Sequence, residues 1–296
     1  SGLLPLDKII GSIDFNVLLM IMGTMGLVAL FIESNMPALL ADMIMEKVPT
    51  VKWAAVSLAL FAGIISAFVD NVATVLMIAP IALAICKKLN TNPVPFIIAI
   101  AVSSNLQGAA TLIGDTTAIM LGSALDLSFL EFFWYQGKPS IFFAVELGAV
   151  LSAFILMFIF RKENGKIEGF NEKTKVTDYV PTVLLVSALV LLILASLIPN
   201  KPDITNGLIC CALLVVGITY KTVKERNLKS IVPVLKGIDF ETIFILLGLF
   251  LMIGGISEQG VIDKVATFFA EIGGNNIFLL YTVIVWASDR KSTRLN

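Results

Sequence analysis

The chain has 296 residues, 57% hydrophobic and 15% charged, with no histidine and a formal net charge of −1, and its mean hydropathy is +0.94. Soluble domains are about 45–50% apolar even with glycine counted and about 25% charged, so a soluble globular or disordered chain is excluded. The missing histidine removes His-ligated metals, haem, Ser-His and Cys-His triads and imidazole proton carriers, and the near-neutral charge speaks against nucleic acid as a partner.

Charge is concentrated at 161–178, 221–229 and 289–296, which leaves uncharged runs at 15–32, 89–114, 179–200, 204–220, 242–257 and 272–288. Several approach the ~20 residues of a membrane-spanning helix, so we read an all-α polytopic membrane protein. In chain order the runs predict a span at 14–33 and a short amphipathic stretch at 37–47. An apolar pair follows at 51–69 and 72–86, interrupted by Asp70-Asn71. A long segment at 94–123 is interrupted at Ser103-Ser104-Asn105 and again at Gly114-Asp115. Further spans are predicted at 140–160, 179–198, 204–220, 239–257 and 276–288. Cys86, Cys210 and Cys211 have no CxxC spacing and read as small apolar helix residues. No signal peptide is visible, and an opening on Ser1 in place of Met leads us to expect a missing N-terminus.

If 51–86 enters and leaves on one side, fourteen basic residues, from Lys47 and Lys52 through Arg161 and Lys221 to Lys236, gather at one face. Lys8, Lys138, Lys201 and Lys264 gather at the other. This bias makes the 161–178 and 221–238 loops cytoplasmic, in what we expect is a prokaryotic inner membrane.

Residues 13–33 match 238–258 without gaps at Ile13/Ile238, Asp14/Asp239, Phe15/Phe240, Gly23/Gly248 and Glu33/Glu258. Five crossings separate the two starts, so the second copy enters from the opposite side, as in the inverted repeats of secondary transporters. We therefore expect a first membrane repeat at 1–160, with hairpin 51–86 and broken helix 94–123, and a cytoplasmic loop at 161–178. Connecting helices occupy 179–220, and a second inverted repeat starts at 237–288.

Ionisable and polar groups inside spans are costly and each needs a role. Asp70 sits at a break with Ser66, Asn71 and Thr74 within one turn, where Asp70 or Asn71 can cap the following arm. A hairpin tip at mid-membrane exposes free carbonyl and N–H groups, and Ser, Asn and Asp oxygens add hard ligands suited to Na⁺. The second constellation runs from Ser103 and Ser104 through Asn105, Gly108, Thr111 and Gly114 to Asp115, Thr116 and Thr117. Continuous helix would waste these groups against lipid, so a broken helix lining a cavity is expected. Glu146, Glu33 and Glu258 read as interfacial or paired carboxylates, and Trp53, Trp134 and Tyr135 as interfacial anchors.

Ser66-Ala67-Phe68-Val69-Asp70-Asn71-Val72-Ala73-Thr74-Val75 with Pro80, and Ser104-Asn105 through Gly108 and Ala110-Thr111-Leu112-Ile113-Gly114-Asp115, resemble the two polar motifs of the ion transporter superfamily. The chain is similar to its citrate-transporter-like permeases, which include arsenite permeases, sodium/proton antiporters and the pink-eyed-dilution type. That resemblance implies re-entrant hairpins facing broken helices, and dimers among the dicarboxylate-type members. It implies tip ligands at Ser66, Asp70, Asn71 and Thr74, faced by Gly108, Thr111, Gly114 and Asp115, with Na⁺ near Asp70, Asn71 and Gly114. Three departures are present. Thr116-Thr117 stands where members often have Pro-Pro, and Gln107-Gly108 where they often have Gly-Gly. Residues 289–296 resemble adapter read-through in place of a continuing arm, so we take them as a foreign tail on a truncated chain.

The function read from these features is an ion-coupled secondary transporter, moving a small inorganic ion or a carboxylate or oxyanion by alternating access. The coupling ion is Na⁺ or H⁺, and no cofactor is expected. A sodium/proton antiporter is the alternative. Two membrane aspartates also fit an intramembrane aspartyl protease, but Leu112-Ile113-Gly114-Asp115 lacks the Gly-x-Gly-Asp of such enzymes. A channel or membrane scaffold is the remaining rival.

Overall fold

The computed structural model describes residues 5, 8–89, 91–163, 165, 174–274 and 276–292, the side chains of 88–89, 273 and 287–292 excepted. Half of the 161–178 loop and residues 293–296 of the tail therefore lie outside the described residues. Those described are almost entirely helical, the one sheet being a two-residue pairing of Trp134–Tyr135 with Lys138–Pro139. The all-α polytopic class holds. By length and composition α1 (Phe15–Glu33), Ile141–Lys162, α9 (Thr205–Glu225) and α11 (Phe240–Glu258) are able to cross a membrane.

The chain divides into two compact units, one of residues 15–243 and one of 1–14 with 244–296. Of the four helices long enough to span, α1 is the most enclosed, with Val17, Met20, Ile21 and Leu27 at most 1% exposed. It packs along α9 with small residues on both sides. A Cβ on Gly23 would lie 2.6 Å from Cys210, one on Gly207 2.8 Å from Leu19, and one on Gly217 2.6 Å from Leu30. Close backbone approach of this kind is how helices associate without a hydrophobic driving force. The pairing runs in register from Asn16, whose Oδ1 accepts the Gly207 N–H at 2.8 Å, to Glu33, which is ion-paired with Lys221. The two helices are therefore parallel.

α8 (Val180–Ser196) runs antiparallel to α9: Asp178 just before it pairs with Lys224 at 2.6 Å, and Leu184 lies against Gly217. Burial alone would raise the Asp178 carboxyl, but the Lys224 ammonium and the Val180 N–H hold it below the ordinary carboxylate range.

The second core joins α2 (Met36–Met45), α3 (Val51–Ser66), α4 (Asn71–Leu89), α5 (Val94–Gly108) and α7 (Ile141–Ile159). Ala54, Ala55, Ala59 and Ala62 of α3 let Ile78 and Ile85 of α4 and Phe96 and Ile100 of α5 close on them. The Phe96 ring meets Phe160 edge-on at 5.2 Å, and the Lys52 N–H donates to the Glu163 carbonyl at 2.9 Å. The starts of α3 and α5 thus share one end of the unit with the close of α7. The rest of α7 turns Leu147, Leu151, Phe154 and Phe158 outward.

One expected interruption is absent. α5 runs unbroken through Ser103-Ser104-Asn105, and the chain unwinds only between Gly108 and the start of α6 (Thr116–Ala124). The polar groups at 104 and 105 spend their hydrogen bonds sideways on the hairpin, so the helix does not need to open there.

In the smaller unit, α12 (Val261–Gly273) packs on α13 (Ile277–Ser292), and Lys8 pairs with Glu258 at 2.6 Å. α13 stays helical through Ser292, past the change of composition after Ser288.

Candidate functional site

The first polar motif forms the turn between α3 and α4. α3 ends at Ser66, the chain turns through Ala67–Asp70, and the Asp70 carboxylate caps α4 by accepting the Ala73 N–H at 3.0 Å. The second motif forms the end of α5, the unwound stretch 109–115 and the start of α6, where Asp115 accepts the Thr116 N–H at 2.8 Å and the Thr117 hydroxyl at 2.9 Å. Each aspartate thus begins a helix at a break.

The two breaks meet. Asn71 Nδ2 donates to Asn105 Oδ1 at 2.8 Å, and Ser104 Oγ donates to the Asn71 carbonyl at 3.1 Å. Thr111 Oγ1 donates to the Ala67 carbonyl. Gly114 lies directly on the hairpin: a Cβ there would stand 2.7 Å from the Ser66 carbonyl oxygen and 2.8 Å from that of Ala67. Only glycine allows that approach. Carbonyl oxygens of both breaks therefore converge on one buried point.

Asp70, Gly114, Asp115 and Thr116 line one cleft with Ile21 and Thr24 of α1, with room for about one water-sized occupant. Two carboxylates on so small a cleft repel one another unless a cation or a proton lies between them. Ser66, Asp70, Asn71, Ser104, Asn105, Gly108, Thr111, Gly114, Asp115 and Thr116 are all in this assembly. Thr74 is buried one turn after Asp70, its N–H bonded to the Asp70 carbonyl, and its hydroxyl makes no hydrogen bond among the described residues.

Two residues were not singled out from sequence. Thr24, the only hydroxyl side chain in α1, reaches the cleft wall with its hydroxyl committed to the Met20 carbonyl at 2.8 Å. Gln107, read only as a departure from a family pattern, is 3% exposed and lies on Gly63 of α3. Asp239, the acidic start of the proposed second copy, caps α11 by accepting the Thr242 N–H at 3.0 Å and the Thr242 hydroxyl at 2.6 Å. Cys86 and Cys210 are buried and Cys211 half-buried, in keeping with small apolar roles.

The citrate transporter family model matches residues 1–288. An uncharacterized transporter of Mycobacterium tuberculosis is 26% identical over 279 residues, 93% of this chain and 64% of its own length. The 46 kDa membrane protein of Mycobacterium leprae is 30% identical over 75% of this chain and 51% of its own. The human P protein is 35% identical over 41% of this chain and 15% of its own. The chain thus spans 64% of the length of the first relative and less of the others. With a match over almost every residue, including both polar breaks, the chain belongs to the citrate transporter family.

Proposed function

We propose that this membrane transporter is ion-coupled and works by alternating access, and that the hairpin tip and the broken helix hold its coupling ion. The observation that carries this is the convergence at Gly114, where carbonyls of both breaks meet beside a cleft lined by Asp70 and Asp115. Neutral carbonyls with carboxylates suit Na⁺ and equally suit proton exchange, so the coupling ion is Na⁺ or H⁺. The substrate is a small inorganic ion or a carboxylate or oxyanion. A sodium/proton antiporter is the second reading, favoured by the two carboxylates on one small cleft.

The match of 13–33 with 238–258 supports an inverted repeat, with the basic loops cytoplasmic in a bacterial inner membrane.

The test is flux in proteoliposomes carrying the full-length protein, driven in turn by a sodium and by a proton gradient. Asp70→Asn and Asp115→Asn are expected to abolish coupled flux while leaving folding intact. Wild-type flux and ion dependence in both would overturn the site.

A further inference from the structure

A second cavity lies where α1 and α9 end and α8 begins, and no residue of either break lines it. It measures about 430 Å³, with Glu33, Asp178, Tyr220, Lys221, Lys224 and Glu225 among its walls. The apolar run of α9 gives way to charge at Lys221, so the cavity stands where a membrane passes from hydrocarbon to water.

Its charges form two pairs with one carboxylate left over. Lys221, whose side chain is 16% exposed, is ion-paired with Glu33, and Lys224 with Asp178 at 2.6 Å. The Lys224 ammonium also stands 5.6 Å from the centre of the Tyr220 ring. Glu225 enters neither pair, so among the described residues three carboxylates meet two ammonium groups. A lone anion would add to that surplus of negative charge. A phosphate tethered to a primary ammonium matches both signs at once.

The helix faces that build the cavity carry an apolar groove deeper in. On α8, Val180 and Leu184 of the cavity are followed at helical spacing by Ser187 and Leu191. On α9, Lys224, Tyr220 and Gly217 of the cavity are preceded at the same spacing by Leu213. Ser187, Leu191 and Leu213 line a groove of about 570 Å³ with Val183, Val186 and Val190. A polar cavity and an apolar groove on the same two helices fit a lipid, head and chain.

We propose that this end of the α8–α9 pair binds phosphatidylethanolamine, its head group in the cavity and one acyl chain along the groove. The phosphate is taken by Lys221 and Lys224, and the primary ammonium by Glu225. Phosphatidylglycerol brings only negative charge, and the quaternary ammonium of phosphatidylcholine has no N–H to donate. The proposal is independent of the ion site at the two breaks.

The experiment is thermal unfolding of the full-length protein in detergent at about pH 7, titrated with dioctanoyl phosphatidylethanolamine, phosphatidylglycerol or phosphatidylcholine. Glycerophosphoethanolamine supplies the head group without its chains. Phosphatidylethanolamine is expected to stabilise at a concentration about tenfold lower than either other lipid, equivalent to about 1.4 kcal/mol. Glycerophosphoethanolamine is expected to act only at far higher concentration, because the groove stays unfilled. Glu225→Gln is expected to erase the preference over phosphatidylcholine, and Lys224→Gln to raise the half-stabilising phosphatidylethanolamine concentration about tenfold. Lys229→Gln, the same change of charge outside the cavity, is expected to titrate as the wild type. Equal stabilisation by the three lipids would mean unselective solvation of the apolar surface and overturn the proposal. A stronger response to phosphatidylglycerol, or a preference kept intact in Glu225→Gln and Lys224→Gln, would overturn it as well. Glycerophosphoethanolamine acting as well as the lipid would make the ligand a soluble phosphate ester, and the lipid assignment would fall.

Discussion

Asn71 and Asn105, thirty-four positions apart, are joined amide to amide at 2.8 Å, which ties the start of the second hairpin arm to the helix leading into the break. The bond is neutral and partly accessible, so its worth is about 0.5–1.5 kcal/mol. We expect Asn71→Ala and Asn105→Ala each to destabilise by that amount, and the double variant by less than the two together. Thermal unfolding of the four proteins in a double-mutant cycle measures this. Strict additivity would mean that the two amides do not interact.

Gly114 and Gly108 flank the same break but differ in what surrounds them. A methyl at Gly114 would press on the Ser66 and Ala67 carbonyls at 2.7 and 2.8 Å, whereas one at Gly108 would meet Asp115 Cβ at 3.4 Å and Ser66 Oγ at 3.5 Å. Gly114→Ala is expected to cost about 1–3 kcal/mol and to abolish flux by parting the two breaks. Gly108→Ala is expected to keep most of both. Flux and unfolding temperature of the pair decide it, and equal effects would remove the special place given to Gly114.

The α1–α9 seam leaves no room at Gly23, where a Cβ already falls 2.6 Å from the Cys210 backbone. Gly23→Val is expected to lower stability by several kcal/mol, at the upper end of overpacking costs. Gly248, with nothing within 4 Å among the described residues, is expected to accept valine without loss, helix propensity slightly favouring the change. Expression and unfolding temperature of the two variants make the comparison.

Acid acts on the clamp between the loop and α9. The folded Asp178 carboxyl lies below its ordinary value, so the pairing with Lys224 contributes above about pH 4 and is lost as pH falls through the lower folded value. Both side chains are partly solvated, 20% and 48% exposed, so the expected effect is local. Asp178→Asn should loosen the 174–179 segment at pH 7 in hydrogen exchange and leave global stability almost unchanged. A large fall in global stability would contradict this.

Sidedness is open to direct chemistry. With the basic loops cytoplasmic, Lys201→Cys is expected to react with an impermeant thiol reagent in intact cells, and Lys229→Cys only after permeabilisation. Cys86 and Cys210 are buried, and the half-buried Cys211 is replaced by serine in both variants to keep the native thiols silent. The reverse pattern would invert the orientation.

The hairpin and the break were legible in sequence because each interrupts an apolar run with groups that lipid cannot satisfy. Asp70-Asn71 and Gly114-Asp115 therefore announced themselves. The expected break at Ser103–Asn105 failed for a related reason: a polar residue in an apolar run signals a partner, and the partner can lie across the seam instead of along the chain. Asn105 found Asn71, and Ser104 found the Asn71 carbonyl. The pairing of Gly63 with Gln107 was hidden, since a small residue in an apolar helix carries no sign of what rests on it. The same holds for Gly23, Gly207 and Gly217, whose register fixes the α1–α9 seam.

Because α1 and α9 are parallel, the chain between them must traverse an odd number of times. α8 returns antiparallel to α9, and its far end is tied to the stretch after α6 by the Phe129 N–H on Ser196 Oγ at 3.1 Å. α7 leads back from that end to the one where α3 and α5 begin. The hairpin therefore comes and goes by a single doorway, while the segment α5–α6 is a corridor from that doorway to the opposite one. Where they touch, at Gly114, a dead end abuts a thoroughfare, so under the proposed alternating access a tilt of the dead end alone would change which doorway the contact faces.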